Sequence, residues 1–255
     1  MGAYLEETRI LDFRADAIRQ LIADRGWADL TTHERIGAAY DFVRNDILFG
    51  YNTEDSLPAS TVLADGFGQC NTKSTLLMAL LRALEIPCRF HGFTIDKSLQ
   101  RGVVPELAYP LAPRDIIHSW VEVLHEGRWI ALEGFILDDG VLTALQRAFP
   151  SRDRLCAYGA GTDDLQAPQV EWTGRDTFIQ RTGINRDLGV YDTPDAFYAE
   201  HRQLSGLRGL LYRIVVRPWM NRRVANLRNG DVPEIGRRAT LEPTFRTIFT
   251  NEETA

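Results

Sequence analysis

Between Asn71 and Leu84 the chain carries Leu76, Leu77, Met78, Ala79, Leu80, Leu81 and Leu84, an apolar density too high for a helix with one wet face. Such a helix has to be covered on most sides, so the fold must wrap other layers around it. The turn-forming run Asp65-Gly66-Phe67-Gly68 precedes it, and Ile86-Pro87 follows its end. With 255 residues, 44% hydrophobic and 10% aromatic, the chain holds enough apolar surface for one large domain, or one domain with substantial extensions.

Upstream, Thr31 and Glu34 have the spacing of a helix capping box. Ile36, Ala39, Tyr40, Val43 and Ile47 follow at helical spacing and predict an amphipathic helix over about residues 32–47. Shorter helices are expected around Ala15–Ala23, ending near Gly26, and from Pro58 through Leu63. Downstream, Ile86–Phe93 reads as a strand, and residues 97–115 as a loop with three prolines. Two further strands, Ile116–Leu124 and Arg128–Phe135, flank Glu126-Gly127 as a hairpin turn. The expected class is α+β, with helices first and then an antiparallel sheet packed on the central helix.

The net charge of −6 argues against nucleic acid as the main partner, because a phosphate-binding surface needs basic excess. That number hides an asymmetry. Residues 1–200 carry a balance of −11, whereas residues 201–230 hold seven arginines and no acid. The N-terminal residues have neither the basic start nor the apolar run of a secretory signal, and no stretch approaches the ~18 apolar residues of a membrane span. Three cysteines, Cys70, Cys88 and Cys156, are an odd count without metal-finger spacing; they are expected to be reduced, which points to the cytoplasm.

Cys70 is the leading candidate for chemistry. It follows a glycine-bearing turn and opens the buried helix, where unpaired amides and the helix dipole favour a thiolate. A small buried hydrophobe is the competing reading for this cysteine and the preferred one for Cys88 and Cys156. His118, Trp120 and Glu122 share one strand face, as do Trp129, Ala131 and Glu133 on the next strand. With a tight turn at Glu126-Gly127, residue 118 stands across from 133 or one pair away on the diagonal. A carboxylate there would orient the imidazole and stabilise its charged form, although a purely structural His–Glu pair would look the same.

Joined, these pieces resemble a known family. The run from Gly66 through Cys70 to Pro87, the segment His118-Ser119-Trp120-Val121-Glu122-Val123 and the segment Gly127-Arg128-Trp129-Ile130-Ala131-Leu132-Glu133 are similar to the three motifs of the transglutaminase-like superfamily. The likeness covers about residues 36–137. It implies a papain-like triad of Cys70, His118 and Glu133, with thioester chemistry on amide or peptide substrates. It implies no calcium and no other cofactor. The family's third residue is usually aspartate, and this chain has Glu133 in its place. Residues 1–150 are then the transglutaminase-like catalytic domain with N-terminal helices, and residues 151–255 a C-terminal extension.

The remaining candidates rest on position. The Cys70 backbone N–H is the first oxyanion donor expected, and Tyr51 or Asn52 a second. Arg89 and His91, with Lys97 beyond, could line a cleft for an anionic substrate group; a solvated strand face is the plainer reading. No metal is expected, since Cys70, Cys88, His91 and His118 lack ligand spacing. The extension resembles no family. It carries a basic amphipathic helix over about residues 204–229, expected to pack on the acidic body, with membrane or partner contact as the alternative. The function expected is attack on an amide carbonyl followed by hydrolysis or transfer to an amine; the alternatives are a non-catalytic transglutaminase-like peptide-binding module and a scaffold acting through the basic helix.

Overall fold

The computed structural model describes residues 2–203 and 206–235. Helices α1 (Asp16–Arg25) and α2 (Thr32–Asp41) lead into strand β1 (Leu48–Phe49). Helix α3 (Ala59–Asp65), strand β2 (Phe67–Gly68) and helix α4 (Cys70–Ala83) follow. Strands β3 (Cys88–Asp96), β4 (Asp115–His125) and β5 (Arg128–Leu132) precede helix α5 (Asp139–Ala148). The extension contains β6 (Leu155–Ala157), β7 (Ala160–Thr162), β8 (Ile184–Tyr191), α6 (Pro194–Glu200), α7 (Gly206–Leu211) and α8 (Arg217–Arg228).

Local chemistry sets these boundaries. Thr31 and Glu34 form the expected capping box, and α2 runs on through a wider turn at Phe42–Asp46. Gly26 and Gly66 end α1 and α3 in the left-handed conformation that glycine adopts without strain. The β4–β5 hairpin closes through Glu126 and Gly127, both at positive φ, which matches a two-residue turn twisted like its strands. β5 stops at Leu132 rather than running to Phe135, because the Glu133 N–H leaves the ladder and donates to the Thr177 carbonyl at 3.0 Å.

α4 is buried from Cys70 through Arg82, as its composition requires. Even Lys73 is enclosed. Its ammonium donates to the carbonyls of Arg44 and Ile136, and burial pushes its pKa down to about 7. α4 packs on one face of an antiparallel sheet ordered β5-β4-β3-β8. Phe90, Val121, Val123, Ile130 and Leu132 point toward that helix, while Phe93, Ile95 and Trp120 build a second apolar cluster with Leu99, Cys156 and Ile184. The α+β architecture is therefore the one expected. β8 is an addition: chain beyond residue 150 supplies the edge strand of the main sheet, pairing with β3.

The basic helix covers Gly206–Arg228 as α7, a wide turn at Tyr212–Val216, and α8. A proline inside a helix ordinarily breaks its register, and Pro218 falls within this one. Instead the wide turn just before it lets the helix absorb a residue that cannot donate to the preceding turn. Met220, Val224 and Leu227 are buried, and Arg228 clamps Asp138 through two nitrogens at 3.0 and 2.8 Å. Among the described residues, no helix is long and apolar enough to cross a membrane.

Candidate active site

Cys70 is the first residue of α4, and the chain on each side of it is fixed by hydrogen bonds. Gln69 receives the Asn52 N–H on Oε1 at 2.9 Å and donates from Nε2 to Asp55 Oδ1 at 3.0 Å. Asn71 donates to the same Asp55 oxygen at 3.0 Å. Both neighbours of the thiol thus hold one carboxylate, which pins the 52–55 loop beside it. Asn71 also donates to the Ile117 carbonyl and accepts the Ser119 hydroxyl. Those two residues flank His118, so one side chain locks the start of α4 to the strand carrying the imidazole.

His118 is fully buried on the sheet face it shares with Phe93 and Trp120. Its Nε2 lies 2.8 Å from Glu133 Oε1. Extending the β4–β5 register places Glu133 across from Trp120, which is the diagonal arrangement relative to His118. Glu133 Oε2 accepts the backbone N–H groups of Ile179 and Gln180, both at 2.8 Å. A carboxylate satisfied in this way accepts from His118 and fixes the tautomer with its proton on Nε2. The other nitrogen, Nδ1, is buried, has no hydrogen-bond partner among the described residues, and is the one left to take a proton.

The electrostatics link the same three groups. Burial would lower the His118 pKa, but the charge of the neighbouring Cys70, together with the Glu133 carboxylate, outweighs it and raises the ring to about 9. Tyr51, Tyr198 and Tyr212 stand around the thiol; burial pushes each phenol up, and the charge of Cys70 acts on all three. The Tyr212 hydroxyl donates to the Asn52 carbonyl at 3.3 Å, whereas the buried Tyr198 hydroxyl has no partner among the described residues. Among the described residues the Cys70 backbone N–H makes no hydrogen bond, as befits the first amide of a helix.

Four further candidates have defined surroundings. The Tyr51 N–H is spent on Asn221 Oδ1 at 2.7 Å and the Asn52 N–H on Gln69, so neither amide is open to an oxyanion. The Asn52 side-chain nitrogen is also committed, to Asp65 and the Phe67 carbonyl. Arg89 and His91 share a sheet face with His118, but Glu122 engages both, at 2.6 and 2.7 Å, and His91 also meets Asp187 at 3.0 Å. Arg89 further stacks on Trp129, so these side chains are engaged with their own strand neighbours. Cys88 lies on the α4 side of the sheet and Cys156 in the second cluster. Among the described residues, no group of three or more His, Cys, Asp or Glu side chains is arranged to hold a metal ion.

Residues 20–134 match the family model of the transglutaminase-like superfamily. This segment is similar to that superfamily. The match contains Cys70, His118 and Glu133, while Thr177, Ile179 and Gln180, which hold the carboxylate, lie beyond it. Among solved structures the chain is similar to a candidate cysteine protease from Cytophaga hutchinsonii, with 14% identity and a TM-score of 0.43. That likeness covers 75% of this chain and 47% of the other, so this chain spans less than half the length of that protein. No curated protein matches it.

Asn71, Thr177 and Tyr198 were not singled out from the sequence. Only Asn71 had a usable signal, its place immediately after the candidate nucleophile.

Proposed function

We propose that the chain is a thiol enzyme in which Cys70 attacks an amide or peptide carbonyl, His118 moves the proton and Glu133 orients the imidazole. The supporting observation is the division of labour on the His118 ring, with Nε2 bonded to Glu133 and Nδ1 unbonded beside Cys70. Nδ1 takes the thiol proton before the attack, in keeping with the raised His118 pKa, and the sulfur anion then bonds to the carbonyl carbon. The negative oxygen that develops is received by the Cys70 N–H. Collapse breaks the C–N bond, the amine leaves with the proton from His118, and a thioester remains on Cys70. Water or a second amine, deprotonated by the same Nδ1, then releases the acyl group and restores the thiol.

Iodoacetamide labelling at mildly acidic pH, read cysteine by cysteine, tests this reading. Cys70 should be alkylated well before the other two, and His118→Ala should remove that advantage. Burial pushes Cys88 up to about 11 despite the nearby Arg82, and burial also raises Cys156, so both are protected at that pH. Equal rates at all three cysteines in the folded protein would favour a non-catalytic peptide-binding module instead.

A further inference from the structure

The helix at 206–228 has two apolar sides, and among the described residues only one is covered. Met220, Val224 and Leu227 face the body and are buried, with Tyr212 and Val216 partly packed above them. Leu210, Leu211, Ile214, Val215 and Trp219, spaced a turn apart on the outer side, are between 44% and 65% exposed. A soluble surface scatters its exposed large side chains; five on one stripe mark a contact surface.

The charge around that stripe narrows what it contacts. Residues 201–230 carry seven arginines and no acid, in a chain whose first 200 residues are acid-rich. Arg213 and Arg228 pair with Glu54 and Asp138, and Arg223 donates to the carbonyls of Gly102 and Val104. Arg217 and Arg222 have no carboxylate partner among the described residues. An apolar stripe edged by uncompensated arginines, on a helix anchored along its opposite side, suits a layer of anionic headgroups over hydrocarbon.

We propose that the outer face of the 206–228 helix docks on an anionic lipid bilayer, its apolar side chains entering the headgroup layer and Arg217 and Arg222 meeting lipid phosphates. The same helix carries Tyr212, whose hydroxyl reaches the Asn52 carbonyl beside the thiol, so docking brings the Cys70 cleft close to the membrane surface.

The test is sedimentation of the full chain with vesicles of phosphatidylcholine alone, or of phosphatidylcholine mixed with phosphatidylglycerol. Binding is expected only to the mixed vesicles, weakening about ten-fold as sodium chloride rises from about 0.1 to 0.5 M. Two paired variants, Ile214→Ser with Val215→Ser and Arg217→Glu with Arg222→Glu, should each reduce the partition coefficient about ten-fold or more and leave the melting temperature unchanged. Absent or salt-insensitive binding by the full chain overturns the proposal, as does undiminished binding by both pairs. A lowered melting temperature in either pair, or self-association of the full chain abolished by the serine pair, assigns the face to the protein itself and equally overturns it.

Discussion

Glu133 Oε1 lies 2.8 Å from His118 Nε2, and both side chains are wholly excluded from solvent. The carboxylate is not a bare buried charge, because its second oxygen receives two backbone amides from the chain beyond β7. It therefore presents one acceptor in a fixed direction, and the imidazole is held with its open nitrogen toward Cys70. The longer side chain at this position is accommodated just past the end of β5, where the backbone has already left the sheet.

Glu133→Gln should lower kcat by roughly 10² to 10⁴-fold with a much smaller change in KM. An amide nitrogen facing Nε2 would favour the tautomer with the proton on Nδ1, the atom that has to accept it from the thiol. Glu133 also helps to raise the His118 pKa, so the alkaline limb of the pH–rate profile should shift below about 9. Full pH–rate profiles of both enzymes check this, and an unchanged limb would remove Glu133 from the role.

The same shift has a stability consequence with a definite sign. His118 is raised in the folded protein from 6.5 to about 9, so the charged ring stabilises the fold fully below about 6.5. That contribution is lost as pH rises through about 9. Denaturant unfolding of the wild type and of His118→Ala at several pH values should show the gap between them shrinking across this window. A gap that widens with pH would contradict the charged state assigned to the ring.

Much of this site was legible in the sequence because its signals are local. A cysteine opening an over-apolar helix, and a histidine and a carboxylate on the two arms of a hairpin with a two-residue turn, follow from periods of 3.6 and 2.0. What supports them was not legible. Ile179 and Gln180 act through backbone amides, which every residue but proline possesses, from 46 and 47 residues beyond Glu133. β8 reads Ile-Asn-Arg-Asp-Leu-Gly-Val-Tyr, an edge strand mostly half-exposed or exposed, with no apolar alternation to announce it. Arg89 and His91 were well placed on their strand, but the competing carboxylates Glu122 and Asp187 come from its two neighbours. Pairing across a sheet decides whether a cation is available, and that requires the register.

Tyr198 offers the sharpest test of what completes the oxyanion site. Its hydroxyl is buried, makes no hydrogen bond among the described residues and feels the charges of Asp55 and Cys70. As a second donor to the developing oxyanion it would be missed in catalysis and not in folding. Tyr198→Phe should therefore reduce kcat roughly 10²-fold while leaving the melting temperature equal or slightly higher, since no bond is lost. Undiminished kcat in a folded Tyr198→Phe enzyme would leave the Cys70 N–H without this partner.

Thr177 tests whether the chain beyond residue 150 positions the Glu133 carboxylate. Its Oγ1 accepts the N–H groups of Glu133 and Gly134, both at 3.2 Å, and its carbonyl also accepts from Glu133. Valine keeps the shape and the backbone contact and removes only the hydroxyl. The Gly134 N–H is then left buried and unpaired, at a cost of roughly 1–3 kcal/mol, readable as a lower denaturation midpoint. Because Glu133 is anchored through the same segment, small displacement of its carboxylate should lower kcat about ten-fold with KM little changed. The pH–rate profile separates positioning from mere destabilisation: a loosened Glu133 raises His118 less, so the alkaline limb should move below about 9 at temperatures where the variant is fully folded. A Thr177→Val enzyme that is less stable but keeps both the wild-type kcat and that limb would confine Thr177 to the fold.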